Sequence, residues 1–474
     1  MSSFGTLNTA YTGLVAARRG LDVVGQNIAN ANTDGYTRQR VTTSASVTAP
    51  SSLSMSQTFT VGQGVSVDGV ARLGSSLLDA RVRSATGTSG YWDVRASAMS
   101  SLEGTLQEPG PNGLSSTLQK FWSAWQDLGN NAAVPATGAA LIAQASGLAS
   151  QIANGYHQVD DQWSTLRTDA DSKVAQLNDA GARVASLNAQ IRTTLASGGS
   201  ANELIDQRNT ITTSISKLAG GSVRELPDGT NEILLGGNPI VSGTTFNSVT
   251  LVGTYHMDAA ASDPVQLEWT SRPGSAVALD GGEIGGEISM LAPADGSGTG
   301  GPIAEAAASY NTFATNLAQQ VNSVYSTGAN AAGTTGLNFF GFNGALPAAL
   351  GLTIIPTTSA DLATATVGTG AYNGDVAGAI SQLGASKTSP DSVWASIVAG
   401  IGTTSQTAQQ QSTLADLSTT SAVNNQLSNA GVDLDEENVN LLSFQRAYQG
   451  SARVMTAVDQ MLDTLINHTG TVGL

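Results

Sequence analysis

The sequence predicts a mainly α-helical, elongated, multi-domain chain carrying a β insert, and three observations lead to that expectation. Apolar heptads stand at both ends, alternating steps of three and four apolar residues fill 140–196, and 220–293 changes to short β-type runs between Gly, Asn and Asp turns. At the N-terminal end Leu7, Leu14, Leu21 and Ile28 recur every seven residues, followed at three places by Ala10, Ala17, Val24 and Ala31. At the C-terminal end Leu441, Tyr448, Met455 and Leu462 recur in the same way, followed by Phe444, Ser451, Val458 and Leu465. Such spacing lays a narrow apolar stripe along each helix, the seam of a coiled coil. Two seams at opposite termini meet only if the chain runs out and returns. The expected plan is therefore nested: a terminal coiled-coil domain from 1–36 plus 431–474, a helix-rich middle domain from 37–219 plus 294–430, and a small outer β domain at 220–293.

Each element follows from its local pattern. The first helix spans about 4–32 and is interrupted by Gly5, Gly13, Gly20 and Gly25, each costing roughly 1 kcal/mol against alanine. Alone it is marginal, so it is expected to form on assembly; Gly13 and Gly20 each precede a seam leucine and permit close helix approach. Asp34-Gly35 gives a turn, and 40–73, rich in Ser, Thr and Val with Val65, Val67 and Val70 alternating, reads as an extended or hairpin segment. Leu77 to Leu106 returns to helical spacing until Pro109-Gly110-Pro111 breaks it. A short helix then presents Leu114, Leu118, Phe121, Trp122, Trp125 and Leu128 on one face. The long helix at 140–196 would span about 80 Å at 1.5 Å per residue, and a second helix runs from Asn202 to Leu218 before Gly220-Gly221. Beyond the β insert, helical spacing resumes at Ile303, Tyr310, Phe313, Leu317, Val321 and Val324. The Gly/Ala/Thr-rich 328–374 carries no clear period; helices at 375–383 and 392–429 precede Gly431 and the terminal helix.

Composition narrows the function classes. The chain has 474 residues, 40% hydrophobic and only 12% charged, enough for two to four domains. A net charge of −16 without a clustered Lys/Arg surface argues against nucleic acid and anionic membranes. The ends differ in sign: 1–40 hold four arginines against two aspartates, and 431–467 hold two arginines against six acids, which favours their pairing modestly. There is no cysteine, no 18-residue apolar run and no signal-peptide pattern before Gly13. His157, His256 and His468 stand alone without ligand spacing, so no metal or other cofactor is expected. The acidic run Asp433-Leu434-Asp435-Glu436-Glu437 lacks the central glycine of a calcium loop and reads as a helix start. Gly62 and Gly64 lack the strand-then-helix context of a dinucleotide site, and no Gly-x-Ser-x-Gly elbow occurs beside a histidine. No catalytic residue is assigned, and the expectation is a protein that is not an enzyme.

Two segments then carry a resemblance. Asn27 to Gln39 (NIANANTDGYTRQ), with Asn27, Asn30, Thr33, Gly35, Tyr36, Thr37, Arg38 and Gln39, resembles the signature after the first helix of bacterial flagellar rod, hook and hook-associated proteins. Gly431 to Asn467 resembles the closing helix of that superfamily, and its version here is most similar to the hook-associated protein 1 branch. Glu203 to Arg208, Gly282 to Leu291 and Asn338-Phe339-Phe340 resemble internal segments of the same branch, in the expected order. Asn30 and Asn32 can cap or bend a helix end, Gly35 permits positive φ, and Tyr36 can pack its ring with its hydroxyl in water.

The resemblance implies a structural protein exported unfolded by the flagellar apparatus without a cleaved signal peptide. It would lie outside the cell at the hook–filament junction, forming a ring with copies of itself at the hook tip. Implied partners are the hook protein, the second hook-associated junction protein, and an export chaperone at the C-terminal helix. Alternatives are a hook or distal rod protein, or a surface adhesin or carbohydrate-binding module carried on the β insert, for which an exposed aromatic patch near Trp269 would be the mark. An enzyme grafted into the middle is a third alternative.

Overall fold

The computed structural model describes residues 3–46, 62–370 and 372–468; the part of the expected extended segment at 47–61 lies outside them. The N-terminal third is α1 (Ser3–Ala29), β1 (Gln39–Ala45), β2 (Val65–Arg72), α2 (Ser76–Leu106), α3 (Leu114–Asn130) and α4 (Pro135–Ala196). Then come α5 (Asn202–Ala219) and strands β3 (Ser222–Glu225), β4 (Asn231–Leu235), β5 (Asn238–Ser242), β6 (Thr245–Phe246), β7 (Val249–Val252), β8 (Gln266–Trp269) and β9 (Arg272–Ala276). α6 (Gly282–Met290) and α7 (Pro302–Tyr325) lead into β10 (Gly328–Ala329), β11 (Phe340–Phe342), α8 (Ala348–Gly351), β12 (Leu352–Ile354) and β13 (Ala365–Thr366). α9 (Asp375–Ser381), α10 (Pro390–Ala430) and α11 (Leu434–Asp463) close the chain, with a π turn at Thr464–His468.

Local chemistry sets the boundaries. Ser75 caps α2 by accepting from the Leu78 N–H, Ser389 caps α10 from the Ser392 N–H, and Asp433 caps α11 from the Asp435 and Glu436 N–H groups. Prolines open α4, α7 and α10, where no intrahelical donor is lost. α4 starts five residues earlier than the apolar period indicates, because Pro135 and the small residues after it are tolerated in a first turn; its 62 residues span about 93 Å.

Pairing is nested from outside in. α1 packs on α11 and α2 packs on α10. On the second pair Asp79 bonds Gln426, Ser89 bonds Asp416 and Asp93 bonds Ser412, so numbers rise on one helix as they fall on the other and the helices are antiparallel. The aromatic residues of α3 form the centre of the middle region. Phe121 and Trp125 are fully buried, and both lie against Phe339, with Tyr325 and Phe340 beside them. The segment without a readable period is thus anchored by Phe339 and Phe340, through the hairpin of β11 with β12.

The 220–293 stretch forms two small antiparallel sheets, β3-β4-β5-β6 and β7-β8-β9, followed by α6. Its apolar residues Ile233, Leu235, Val241, Val249 and Leu267 join the same continuous core as α4. Two asparagines of α4 hold it: Asn178 exchanges two hydrogen bonds with the Val249 backbone, and Asn188 bonds the backbone of Asn231 and Gly243. Gly220 and Gly281 meet where the insert leaves and returns; a Cβ on Gly220 would lie 3.0 Å from the Gly281 backbone, and both take positive φ. Trp269 is buried, so the aromatic mark of a carbohydrate-binding insert is not on the surface.

Candidate functional site

The two terminal helices meet along most of their length. Gly13 faces Ser451, Gly20 faces Phe444, and Asn27 bonds Glu437, so each step of seven along α1 is a step of seven back along α11. The pair is therefore antiparallel. A Cβ on Gly20 would fall 2.4 Å from the Phe444 ring, and one on Gly13 would fall 3.0 Å from the Ser451 hydroxyl. Two of the four glycines that weaken the isolated helix, Gly13 and Gly20, are thus points of close approach to α11, whereas a Cβ on Gly5 or Gly25 would meet nothing within 4 Å.

The heptad residues are placed unevenly. Ala10, Ala17, Val24 and Val458 are buried; Leu7, Leu14, Leu21, Ile28, Leu441, Phe444, Met455 and Leu462 are half-buried. Tyr448 and Leu465, expected in the seam, are exposed: Tyr448 at 38%, and Leu465 in the π turn past the end of α11, where the register of the pair has already run beyond the start of α1. Further large apolar groups lie on the outside of the pair: Phe4 and Tyr11 on α1, and Val439, Leu442 and Met461 on α11. One face of each helix is used within the chain, and among the described residues a second apolar face remains open.

At the end of this pair the residues after α1 build a buried polar hub. Asn27 is 1% exposed and makes four bonds: its amide donates to the Gln39 carbonyl (2.9 Å) and to Glu437 Oε2 (3.0 Å), and its Oδ1 accepts from the Tyr36 hydroxyl (2.8 Å) and the Gln39 N–H (3.0 Å). All four positions of the amide are used, as a buried amide requires. Tyr36 thus differs from expectation: its hydroxyl is spent on Asn27 rather than water, because the loop folds back over the end of α1. Burial, reinforced by the charges of Glu203, Asp206 and Glu437, pushes the Tyr36 phenol up to about 12.

Arg38 bridges to the start of α11. Its Nε donates to Glu437 Oε1 at 2.7 Å, and its two terminal nitrogens grip Glu436 at 2.8 and 2.6 Å. The hydrogen bond to Glu436 raises the guanidinium pKa, and the same bond lowers that of Glu436. The acids read from the sequence as a helix-start preference are, for Glu436 and Glu437, the anchor of this arginine. The Arg38 N–H also donates to the Ala430 carbonyl, tying the loop to the end of α10.

The start of α5 completes the hub. Asp206 accepts the Thr37 N–H (3.0 Å) and Arg72 Nε (2.6 Å), while Gln39 bonds Glu203 and Asn202. Arg208 is 2% exposed and donates to Asn188 and the Gly229 carbonyl; burial lowers its pKa to about 10. Gly35 takes φ 78°, and a Cβ there would lie 2.3 Å from the Thr210 hydroxyl, so the turn admits only glycine. Asn30 closes α1 by donating to the Gln26 carbonyl and accepting from Thr33, which is itself exposed.

The motif residues from Asn27 to Gln39 converge with partners the sequence reading had not joined to them: Asp206, Glu203, Asn202 and Arg72. The helix of α5 was legible, but its partnership with the motif was not, because a partner about 170 residues away leaves no local period. Among the described residues no group of three or more His, Asp or Glu is placed to hold a metal ion, and no helix is long and apolar enough to cross a membrane.

Known flagellar proteins are similar to this chain in sequence and in fold. Residues 99–340, about half the chain, match the model of the flagellar hook-associated protein FlgK helical domain. Residues 7–37 match a flagella basal body rod protein model, and residues 423–468 match the C-terminal model of the rod proteins FlgEFG. Flagellar hook-associated protein 1 of Bacillus subtilis is 28% identical over 507 aligned residues, covering 100% of this chain and 99% of that protein. Its counterpart in Salmonella typhimurium is 32% identical over 249 residues, covering 52% of this chain and 44% of that protein. The solved flagellar hook junction protein FlgK of Burkholderia pseudomallei superposes with a TM-score of 0.61 at 16% identity, covering 75% of this chain and all of that one, and shares its fold.

Proposed function

This chain belongs to the FlgK family of flagellar hook-associated proteins, and from that premise we propose that it is a structural subunit of the hook–filament junction. In this reading it leaves the cell through the flagellar export route, and copies of it form a ring on the hook tip. The ring contacts the hook protein on one side and the second junction protein on the other. An export chaperone holds the C-terminal helix beforehand. The chain acts by packing rather than by catalysis.

The observation that carries the reading is the antiparallel α1–α11 pair with a second apolar face left open. The inner face sets the pair, and the outer residues Phe4, Tyr11, Val439 and Met461 are what neighbouring subunits would bury, at about 25 cal/mol per Å² of apolar area. The hub at Asn27, Arg38 and Asp206 fixes the direction in which the pair leaves the rest of the molecule. In domain terms, 1–36 with 431–474 is the assembling unit, and the helix-rich 37–219 with 294–430, bearing the β segment 220–293, is the body it carries.

The test is Leu21→Asp in the full chain, made in its own bacterium. A charge in the terminal seam should abolish filament growth while α2–α10 keep their thermal transition. Normal filaments from that variant would refute the reading.

A further inference from the structure

We infer that the outer face of α10 is the surface on which a second copy of this chain seats during assembly; the inference rests on the proposed self-assembling role and names a contact within it. The starting point is an asymmetry of charge. Between Glu305 and Asp433 the only charged residues are Asp361, Asp375, Lys387, Asp391 and Asp416. α10 holds two of them, and both are bonded to neighbouring helices: Asp391 accepts from the Trp122 indole at 2.7 Å, and Asp416 accepts from the Ser89 hydroxyl at 2.7 Å. The rest of this 41-residue helix carries no charge. The other long helix of the molecule, α4, is different: Asp161, Asp179, Arg183 and Arg192 all stand exposed on it.

The outer face of α10 is also prepared for covering. Leu414 and Leu417 are 59% and 63% exposed. The hydroxyls around them already donate to their own helix: Thr403 to the Ala399 carbonyl, Thr407 to that of Thr403, and Thr413 to that of Gln409, at 2.8–3.0 Å. A hydroxyl bonded in this way is not left as an orphan donor when water is removed. An exposed lysine or glutamate in its place would have to be desolvated, which is why interface centres are depleted of them.

Charge selects the occupant. A partner of opposite sign would be gripped by charged side chains, and this face offers none. A second copy carries the same net charge of −16, so two copies repel wherever their charged surfaces face and approach most readily across an uncharged one.

The experiment places a photoreactive p-benzoylphenylalanine at Leu417 in the full chain, made in its own bacterium, with the same residue at Met461 on α11 as a second site. Irradiation at position 417 should yield a product of twice the chain mass whose linked peptides both come from this sequence. A double Leu414→Glu, Leu417→Glu variant should cut dimer yield from the 461 probe by at least about tenfold, as like charges placed across an interface cost several kcal/mol. Its thermal transition should not change, since both side chains are exposed. A dimer from the 461 probe with none from 417, or a 417 product joined to a different protein, would overturn the α10 contact and leave the junction reading standing. No dimer from either probe would remove the self-assembling role and the inference with it.

Discussion

Replacing Gly20 by alanine adds one methyl group to α1, and its effect separates two opposing terms. In an exposed helix interior the change is stabilising by about 1 kcal/mol, because glycine surrenders more backbone freedom. Gly25 meets that description: a Cβ there finds nothing within 4 Å. At Gly20 the new Cβ would lie 2.4 Å from two ring carbons of Phe444 and 2.7 Å from a third. The third is the atom that joins the ring to its own Cβ, so a small ring rotation does not relieve the clash. Either Phe444 leaves its place or the helices separate, at a cost of about 1–3 kcal/mol for overpacking. Gly25→Ala should therefore stabilise the pair by about 1 kcal/mol and Gly20→Ala should destabilise it by up to about 2 kcal/mol. Amide exchange of α1 and α11 reads the difference directly: protection in the two variants should differ between about fivefold and a hundredfold, at tenfold per 1.4 kcal/mol. Adding Phe444→Ala to Gly20→Ala should return much of the loss. Equal gains in protection from Gly20→Ala and Gly25→Ala would mean that α11 does not lie over Gly20, and the register of the pair would be refuted with it.

Three further outcomes follow from the hub and the core. Asn27→Ala leaves its buried partners unpaired and should cost about 2–4 kcal/mol of local stability, at about 1–3 kcal/mol per orphaned group; Asn27→Asp sets a carboxylate against Glu437 and should be worse at pH 7 than at pH 4, as amide exchange at Gln39 will record. Arg38→Ala strips the cation from the buried Glu437 and should cost about 3 kcal/mol, whereas Arg38→Lys should recover only part of it; proteolysis at 30–38 measures both. In the body, Glu287 is fully buried and held by Lys173, and burial pushes its carboxyl up from 4.5 to about 8. The folded chain then keeps a proton that the unfolded chain has released, so this site supports the fold fully below about pH 4.5 and the support is lost as pH rises through 8. Glu287→Gln should flatten the fall in melting temperature between pH 5 and 8, and an unchanged slope would exclude Glu287 as its source.

How much of this was legible depended on the range of the interactions involved. The heptads of α1 and α11, the long period of α4, and the aromatic face of α3 are local patterns, each set by which side of one helix turns from water. Gly13 and Gly20 could be recognised as points of close approach from their position beside the seam. The partners of the hub could not. Arg38 and Glu437 are 399 residues apart, and Thr37 and Asp206 are 169 apart. No periodicity links such pairs, and the Tyr36 hydroxyl, expected in water, bonds Asn27 because the loop folds over it. The segment at 328–374 was opaque for a related reason: its order comes from two phenylalanines seated among aromatics of other helices rather than from a pattern of its own.

The sequence by itself determined the long helices, the out-and-back course of the chain and the paired ends, because hydrophobic period and glycine, proline and cap positions act within a few residues; the short α6, inside the stretch read as β, was not among them. Only the tertiary structure decided which face of α11 meets α1, that the β segment lies on α4 and shares its core, and that the motif after α1 is a hydrogen-bonded knot. Those choices are settled by shape and by the need of each buried polar group for a partner, and both depend on residues brought together from distant parts of the chain.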